Sequence, residues 1–583
     1  MRLSSLKSPP PWLLASICLV ALGFSIRMWL VSNHFPHYDD LWGEYRALHI
    51  KSMPQEEFLS RLPQSFRPIL ESIFTIPAAE WFARHLISVF EATYHSTIAP
   101  LHYVFAFIFV GMASTYPHAL AESRVFTLLE YILFLVLMLI FSACRSHVER
   151  RVLCAFSILS LFGGLPLFYS VQGHNYMMGL CGAVVYLIVL SKSPSSSLSH
   201  TSIRASSYSL LLLASYNFII FLPAFYICEA QIYASHYRSS STLLNFGRWR
   251  FKTTFAHFLA LIIPLVLSLF LKIIYIVPGA SGAGWNSGLA NEYVVDYSSF
   301  HDFFYHLYFS MSSTMAALFL PTSTNSLLNF LLVIPIVTFI LLALRSISGQ
   351  PLQSDLPSAF ATFALVSFFL LYLFRYLAIS PTRHSLVLFP FIALLTARGV
   401  NELYSHLSTR FYYTESHEFL PASNPFVILL AIAYICLISW YLPDQIRQRQ
   451  DPLSSSIITT IGRADTIYYD EYFNFSLSVA PELRHLTEAM VTWPLRDNFV
   501  IKKSNFTGQN RDENIIYATN SFSMPPLVEV ESNIAYSSGC ISINPLKPLF
   551  SRTSSQVVDS PPRTLTLMGT NSLHLYSTTC HHR

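Results

Sequence analysis

Acidic side chains cluster directly after the first apolar stretch of the chain, in the segment His37–Arg46 (HYDDLWGEYR). On a helix, Asp40 and Glu44 would share one face, whereas Asp39 would point in another direction. Two interpretations fit: an amphipathic helix on a membrane surface with solvated acids, or carboxylates kept beside the membrane for a function, since ionisable groups there are costly. An adjacent acid pair can also hold a divalent cation.

Several basic and polar residues lie beside apolar stretches and could bind an anion. Arg375 and Arg383 flank two late stretches, and the guanidinium offers a bidentate fork that suits phosphate oxygens. Arg375 could equally snorkel to the membrane interface, and Arg124 could simply anchor the stretch that it begins. His174 and Gln172 lie in a short polar segment, where they could also be ordinary loop residues.

The glycine-rich loop Gly279–Asp296 is not followed by a helix with a phosphate-binding fingerprint, which argues against a nucleotide site. Its Trp285 and Tyr293 could stack on a sugar or a lipid carrier, or belong to the aromatic belt at a membrane interface. The terminal pair His581-His582 has no partners at ligand spacing. We therefore expect no required cofactor, and a divalent cation only as an optional one.

The composition indicates that membrane helices position these residues. Of 583 residues, 53% are hydrophobic and 12% are charged, whereas about a quarter are charged in soluble domains. The net charge of +4 is small for this length and its basic residues are scattered, so no nucleic-acid partner is expected. Because about 20 apolar residues span a bilayer, we predict a polytopic α-helical membrane protein with about 10–12 transmembrane helices. The best candidates are residues 11–31, 124–143, 152–170, 176–191, 255–276, 326–344, 358–378, 385–400 and 425–442.

Some stretches need separate treatment. The first one is interpreted as a retained signal anchor, because it lacks a small-residue cleavage site and continues into Arg27. Residues 207–228 are interrupted by the triplet Ser215–Asn217, which predicts two half-helices or one bent helix. The Ser-rich stretch Ser191–Ser207 is predicted to be a flexible cytoplasmic loop.

Orientation follows from the basic loops, because short cytoplasmic loops collect Lys and Arg. The N-terminal head, Arg145–Arg151 and Tyr237–Lys252 are such loops. The opposite side then receives residues 32–122, 277–302 and 443–583, provided that 207–228 returns to the side where it started.

From about residue 443 the sequence becomes polar and contains short runs that are typical of strands. These runs are Ser455–Thr460, Thr466–Tyr469 and Asn514–Tyr517. They predict a small α/β or α+β soluble domain over 443–583, after a transmembrane domain over 1–442 that includes the long first loop 32–122.

The cysteines divide into two groups. Six lie in or beside apolar runs, as small buried side chains usually do. Cys540 and Cys580 lie in polar sequence and could pair or stay free, because sequence alone does not establish the geometry of a disulfide.

Taken in order, the segments resemble the GT-C superfamily of membrane glycosyltransferases, especially the branch related to protein O-mannosyltransferases and lipid A aminoarabinose transferases. The resemblance covers the membrane part of the chain, and its specificity lies in the order and spacing of short motifs. The matching segments are Asp39-Asp40, Ala99–Tyr103 (APLHY), Arg124, Pro166–Tyr176 (PLFYSVQGHNY) and Arg383–Pro390 (RHSLVLFP). The soluble tail also matches the pattern.

The chain departs from the family pattern at three places. The usual second proline and the preceding basic residue are absent around Pro100. His174 stands where the family commonly has Arg, and His384 stands where it commonly has Tyr. These differences bear on the identity of donor and acceptor more than on the fold.

The resemblance implies transfer of a sugar from a polyprenyl-phosphate donor to an acceptor hydroxyl at the extracytoplasmic face, with inversion. A nearby carboxylate would remove the hydroxyl proton, and fixed cations or N–H donors would stabilise the leaving phosphate. The implied catalytic carboxylates are Asp39 as general base, with Asp40 and Glu44. The implied phosphate ligands are Arg375, Arg383, His174 and Arg124, and the implied substrate contacts are Gln172, Tyr176 and His102.

Other functions remain open at this point. The chain could be a transporter or flippase of a lipid-linked saccharide, or a non-catalytic membrane protein whose tail binds envelope glycans. For the enzyme, the expected partners are the polyprenyl-phosphate sugar, a glycan, lipid or protein acceptor, and the bilayer. We expect a bacterial inner membrane with a periplasmic catalytic side, or the endoplasmic-reticulum membrane in a eukaryote.

Overall fold

A computed structural model describes the chain in separate segments. They comprise residues 11–33, 54–56, 68, 76–96, 99–110, 116–193, 195–239, 248–273, 297–320, 326–348, 355–374, 376, 379, 383–410, 432–443, 466–469, 499–502, 513–519, 542–545, 547–552 and 573–581. The chain divides into two compact units. Unit 1 contains Met1–Trp29, Val89–Ala106 and Arg124–Pro443; unit 2 contains Leu30–Ser88, Phe107–Ser123 and Asp444–Arg583.

The described part of unit 1 is helical. The helices up to residue 214 are α1 (Pro11–Asn33), α2 (Pro77–Ser96), α3 (Pro100–Val110), α4 (Tyr116–Ala143), α5 (His147–Leu159), α6 (Gly164–Tyr169), α7 (Tyr176–Lys192) and α8 (Leu198–Ala214), of which α1, α2, α3 and α4 begin or end in unit 2. The later ones are α9 (Leu222–Ser239), α10 (Arg248–Leu271), α11 (Phe300–Phe319), α12 (Ser326–Ser348), α13 (Leu356–Leu373), α14 (Phe389–Arg410) and α15 (Ile432–Pro443). Short 3-10 helices cover Tyr216–Phe221 and Arg383–Leu388.

Five segments in the described ranges are long and apolar enough to cross a membrane, and four shorter apolar helices accompany them. The five are Glu122–Ala143, Tyr216–Ala234, Leu331–Ser348, Leu356–Leu373 and Ser385–His406. On α4, Leu129, Leu133 and Leu139 are each about half exposed. A helix that is apolar on its outer face as well as its inner face is typical of a membrane span. The chain is therefore of the α-helical membrane type, and the predicted total of about 10–12 spans stays a prediction.

The predicted span 152–170 is wrong as a single helix. It consists of α5 and the short α6, which a turn at Ser160–Gly163 separates. A side chain at Gly163 would collide with the carbonyl of Leu318 on α11, so glycine permits this close approach. The apolar count also missed α11, where the polar run Ser310–Thr314 interrupts the hydrophobic sequence.

The predicted break in residues 207–228 is confirmed, because α8 ends at Ala214 and α9 begins after the 3-10 helix. Arg204 on α8 and Glu229 on α9 form a buried ion pair with a 2.7 Å contact. If the two helices were collinear, these residues would lie more than about 30 Å apart. The segment therefore folds back as an antiparallel hairpin and returns to the end where it started.

Part of the Ser-rich stretch is also ordered, contrary to the prediction of a flexible loop. Its residues from Leu198 onward belong to α8, and Ser197 caps that helix by accepting a hydrogen bond from the backbone N–H of His200. Serine suits this role because its hydroxyl satisfies an otherwise unpaired N–H group.

Unit 2 contains a six-stranded mixed sheet. The strands are β1 (Thr466–Tyr469), β2 (Phe499–Lys502), β3 (Glu513–Thr519), β4 (Ser542–Ile543), β5 (Lys547–Arg552) and β6 (Leu573–His581). Their order is β2-β1-β3-β6-β4, with β5 also paired to β6, and only the β1–β3 pairing is parallel.

Two of the strands predicted from the sequence are confirmed, namely Thr466–Tyr469 and Asn514–Tyr517. The third, Ser455–Thr460, lies outside the described residues. Cys580 lies on β6, opposite Ile543. Cys540 is outside the described part, so the disulfide stays a hypothesis.

Candidate functional site

Five of the residues singled out in the sequence are described, and all belong to unit 1. His102, Arg124, Gln172 and His174 are buried, and Tyr176 is partly buried. The remaining ones, namely Asp39, Asp40, Glu44 and Arg375, lie outside the described residues, as do Trp285 and Tyr293. Arg383 begins a 3-10 helix, but its side chain is not described.

The central feature of the site is a buried pair, His102 on α3 and Glu130 on α4. Nδ1 of His102 lies 2.8 Å from Oε1 of Glu130, and the two side chains are 0% and 3% exposed. The other nitrogen of His102 is buried and has no hydrogen-bond partner among the described residues. The other oxygen of Glu130 is buried and has no side-chain partner there, and the backbone of Met178 lies beside this carboxylate. We call these two residues the open pair. Buried polar atoms usually have a partner, so an exception requires a specific explanation.

Aromatic rings connect the open pair to the segment Pro166–Tyr176. The ring of Tyr103 packs edge-on against His102, with centroids 4.8 Å apart, and against His174 at 6.3 Å. His174 stacks on Tyr176 at 4.2 Å, and Tyr176 contacts Tyr169 on α6 at 5.0 Å. Apart from Glu130, the candidate residues that are buried in this part of unit 1 come from three segments that carry the resemblance: Ala99–Tyr103, Arg124 and Pro166–Tyr176.

The helix α4 carries two of these buried residues, Arg124 and Glu130, on one side. Its buried side is polar at Arg124, Thr127, Glu130 and Tyr131, and becomes apolar at Phe134 and beyond. Glu130 lies about 20 Å along the helix axis from Ala143 at the far end. An ionisable residue at this depth of an apolar helix is by default a candidate for function. Glu130 is not among the residues predicted from the sequence, although a lone acid within an apolar run is the signal that could have identified it.

Arg27 on α1 was also missed as a buried residue, and its role is to hold the backbone beside the site. Its guanidinium donates to the carbonyls of Leu161 (2.7 Å) and Ser160 (3.2 Å) and to Oγ of Ser170 (2.8 Å). It also lies over the ring of Tyr131 at 4.1 Å. These contacts fix the turn after α5 and the start of the segment that carries Gln172 and His174.

A second buried charged cluster lies at the other end of α4. Arg145 donates to both carboxylate oxygens of Asp355 at 2.7 Å and to Glu149 at 3.0 Å, and Arg398 donates to Glu149 at 3.3 Å. We call these four residues the closed network. Glu149 also completes a capping box with Ser146 at the start of α5. The network thereby links α4, α5, α13 and α14.

The electrostatics of the closed network favour its charged form. Burial alone would raise the pKa of Asp355, but hydrogen bonds from Arg145 and its positive charge lower the pKa below the ordinary value. Burial alone would likewise lower the pKa of Arg145, but the hydrogen bonds and charges of Asp355 and Glu149 raise it. The pairing therefore outweighs desolvation for both groups.

The hairpin of α8 and α9 lies near the closed network at the end where Arg204 pairs with Glu229, away from its 3-10 turn. The ring of Tyr186, close to the end of α7, contacts Phe360 near the start of α13 at 4.9 Å. Asp355 immediately precedes α13, so the end of α7, the Arg204–Glu229 pair and the closed network lie toward one end of the unit. The open pair lies well away from it along α4.

In the described ranges, no group of three His, Cys, Asp or Glu side chains is arranged to hold a metal ion. The site offers imidazole, carboxylate, guanidinium, amide and phenol groups, which together can bind an oxygen-rich, anionic ligand. In comparisons with known proteins, no family model, curated protein or solved structure matches the chain.

Proposed function

We propose that the chain is a membrane glycosyltransferase that moves a sugar from a polyprenyl-phosphate donor to an acceptor hydroxyl at the extracytoplasmic face. The single observation that carries the proposal is the buried polar region of unit 1. His102, Arg124, Gln172 and His174 come from three segments that carry the GT-C resemblance, and Glu130 comes from α4 outside those segments. A region built only for packing would not need a buried imidazole, carboxylate and guanidinium within apolar helices.

The proposed reaction is an inverting displacement at the anomeric carbon. The acceptor oxygen forms the new bond to that carbon as its proton passes to Asp39, with Asp40 and Glu44 orienting the acceptor. The bond from the anomeric carbon to the phosphate oxygen breaks, and its electron pair leaves with the lipid phosphate. Geometry and charge near the leaving group then determine the rate, because they stabilise charge that develops during the step.

The residues assigned to the leaving phosphate are Arg375, Arg383, His174 and Arg124. Gln172, Tyr176 and His102 are assigned to substrate contact. The burial of His102, Arg124, Gln172 and His174 supports these roles, because hydrogen bonds to a phosphate are stronger where water is excluded. No metal or other cofactor enters the proposed reaction.

The hairpin of α8 and α9 supports the orientation that the proposal needs. Because this segment returns to its starting end, it meets the condition on which the predicted alternation of basic and long loops depended. The proposal places the acidic segment after α1 and the polar tail on the same, extracytoplasmic side. In a bacterium this side would be the periplasm.

A transporter of lipid-linked saccharide is the second candidate, because a buried histidine and glutamate inside apolar helices are also found along transport pathways. The two functions differ in product. A transferase releases the lipid phosphate, whereas a transporter moves the intact lipid-linked sugar to the other leaflet.

The test uses the purified full chain in liposomes with a panel of polyprenyl-phosphate sugars and a host membrane extract as the source of acceptors. Released polyprenyl phosphate is measured by mass spectrometry. We expect release by the wild type and less than about 1% of that rate for Asp39→Asn, as loss of a general base alone costs about 100-fold or more.

Asp302→Asn is the matched control, because Asp302 is an exposed acid with no assigned role. It lies in the first turn of α11, and Ser299 caps this helix by accepting a hydrogen bond from the backbone N–H of Asp302. We expect its rate to equal that of the wild type. Wild-type activity in Asp39→Asn would refute the assigned base. Movement of intact donor across the bilayer without release of phosphate would favour the transporter.

A further inference from the structure

The number of protons that His102 and Glu130 carry between them determines which of their atoms donate hydrogen bonds. In a buried site with a low dielectric constant, a net charge is costly, so the pair is most stable when it is neutral overall. Three arrangements satisfy this condition. An imidazolium can face a carboxylate, a protonated Glu130 can donate to Nδ1 of a neutral His102, or Nδ1–H of a neutral His102 can donate to a Glu130 that carries its proton on the other oxygen. The first two contain the stronger hydrogen bond, because it joins two charged groups or runs from an acid hydroxyl to a basic nitrogen.

The two stronger arrangements place a hydrogen on Nε2 of His102. In the imidazolium both nitrogens carry hydrogens, and in the neutral ring with Nδ1 as acceptor the hydrogen is on Nε2. Glu130 therefore favours Nε2 as a hydrogen-bond donor, because the hydrogen bond that one ring nitrogen makes sets the state of the other.

This donor is buried and has no partner among the described residues. The ring cannot easily turn away to find one, because Nδ1 is bound to Glu130 at 2.8 Å and the ring packs against Tyr103 and Phe126. An unsatisfied buried donor costs free energy. A ligand that brings an oxygen acceptor would remove that cost.

We propose that Glu130 is a positioning residue that orients and polarises His102, so that Nε2–H binds a phosphate oxygen of the lipid donor. The inference rests on the proposed function and adds a residue and an atom to it. It assigns the open pair to recognition of the lipid phosphate, separately from the carboxylate that acts on the acceptor.

The probes are farnesyl phosphate and farnesol, which share a lipid chain and differ in the phosphate. Their affinities for the detergent-solubilised full chain are measured by ligand-induced thermal stabilisation. Two substitutions of His102 separate its nitrogens. The amide nitrogen of His102→Gln reaches the position of Nε2, and that of His102→Asn reaches the position of Nδ1.

We expect His102→Gln to bind farnesyl phosphate within about threefold of the wild type, and His102→Asn to bind it about tenfold more weakly, the loss expected for one hydrogen bond to a charged group. Glu130→Leu is expected to weaken binding about tenfold as well. In the His102→Gln background, Glu130→Leu is expected to have little further effect, because the amide donates without help. Such non-additivity shows that Glu130 acts through residue 102.

Glu149→Gln is the control for removing a buried carboxylate from unit 1 at a distance from the site, and we expect it to leave the phosphate preference unchanged. If wild type prefers the phosphate but all variants match it, or if His102→Asn binds well and His102→Gln does not, this inference is wrong and the proposed function stands. If wild type binds the phosphate no better than the alcohol, the proposed function fails together with the inference. If Glu130→Leu does not fold, the Asn and Gln variants alone decide.

Discussion

Two of the ionic groups that lie inside the described part of unit 1 differ in how fully their carboxylate and imidazole atoms are used. In the closed network, both oxygens of Asp355 accept hydrogen bonds from Arg145, and both oxygens of Glu149 accept bonds from arginines. In the open pair, His102 and Glu130 share one contact and each leaves one polar atom without a side-chain partner among the described residues. Both groups lie within the same set of apolar helices.

This difference indicates a structural role for the closed network and a binding role for the open pair. A buried ion pair recovers its desolvation cost only when its geometry is good and further hydrogen bonds satisfy the remaining atoms. The two carboxylates of the closed network meet this condition, and the network connects four helices, as expected of a group that fixes their packing. The open pair does not meet it, as expected of a group that is completed by a ligand.

The largest expected effect is loss of stability when the closed network is broken. Arg145→Met leaves Asp355 and Glu149 buried with reduced compensation, which we expect to cost about 3 kcal/mol of the free energy of unfolding. The measurement is denaturant unfolding of the full chain in detergent. Arg150→Met is the control, because Arg150 is exposed and bonds only the carbonyl of Ala143 in the described contacts; it should change stability by less than about 0.5 kcal/mol.

A smaller change in stability is expected when the open pair is broken. Glu130→Leu removes one hydrogen bond and leaves Nδ1 of His102 without that partner, but it also removes the desolvation cost of a carboxylate, so we expect a net loss of about 1 kcal/mol. The same unfolding experiment measures it. A loss as large as that of Arg145→Met would mean that the open pair is structural, and the comparison between the two groups would fail.

The smallest expected effect is a change in the free energy of unfolding at acidic pH. Because the pKa of Asp355 is lowered in the folded protein, its contribution to stability is complete above its ordinary pKa of about 3.8 and is lost as the pH falls through the lower, folded value. The difference in unfolding free energy between wild type and Asp355→Asn should therefore be constant from pH 7 to about 5 and shrink below about 4. A difference that grows on acidification would contradict the assigned ion pair.

Features of the fold that depend on local sequence could be predicted, whereas features that depend on contacts between distant helices could not. Apolar length predicted α4, α10, α12 and α13, because crossing a bilayer is a local requirement. The break after Ala214 was visible because three polar residues interrupt an apolar run. The turn after α5 was missed, because it depends on the close approach of Gly163 to Leu318 on another helix.

The site was predicted less completely for the same reason. His102, His174 and Tyr176 were found through short motifs, yet their contact through Tyr103 is a tertiary property. Glu130 and Arg27 each lie alone in an apolar run, where sequence does not reveal the partner. The structure supplies that partner: a histidine for Glu130, and backbone carbonyls with Ser170 for Arg27.

A cryo-electron microscopy structure of the full chain with bound polyprenyl phosphate in lipid nanodiscs tests most directly whether the open pair binds the lipid phosphate. We expect phosphate density within hydrogen-bond distance, about 3 Å, of Nε2 of His102, with Glu130 still bound to Nδ1. Phosphate bound elsewhere, with the open pair unchanged and unoccupied, would contradict this expectation.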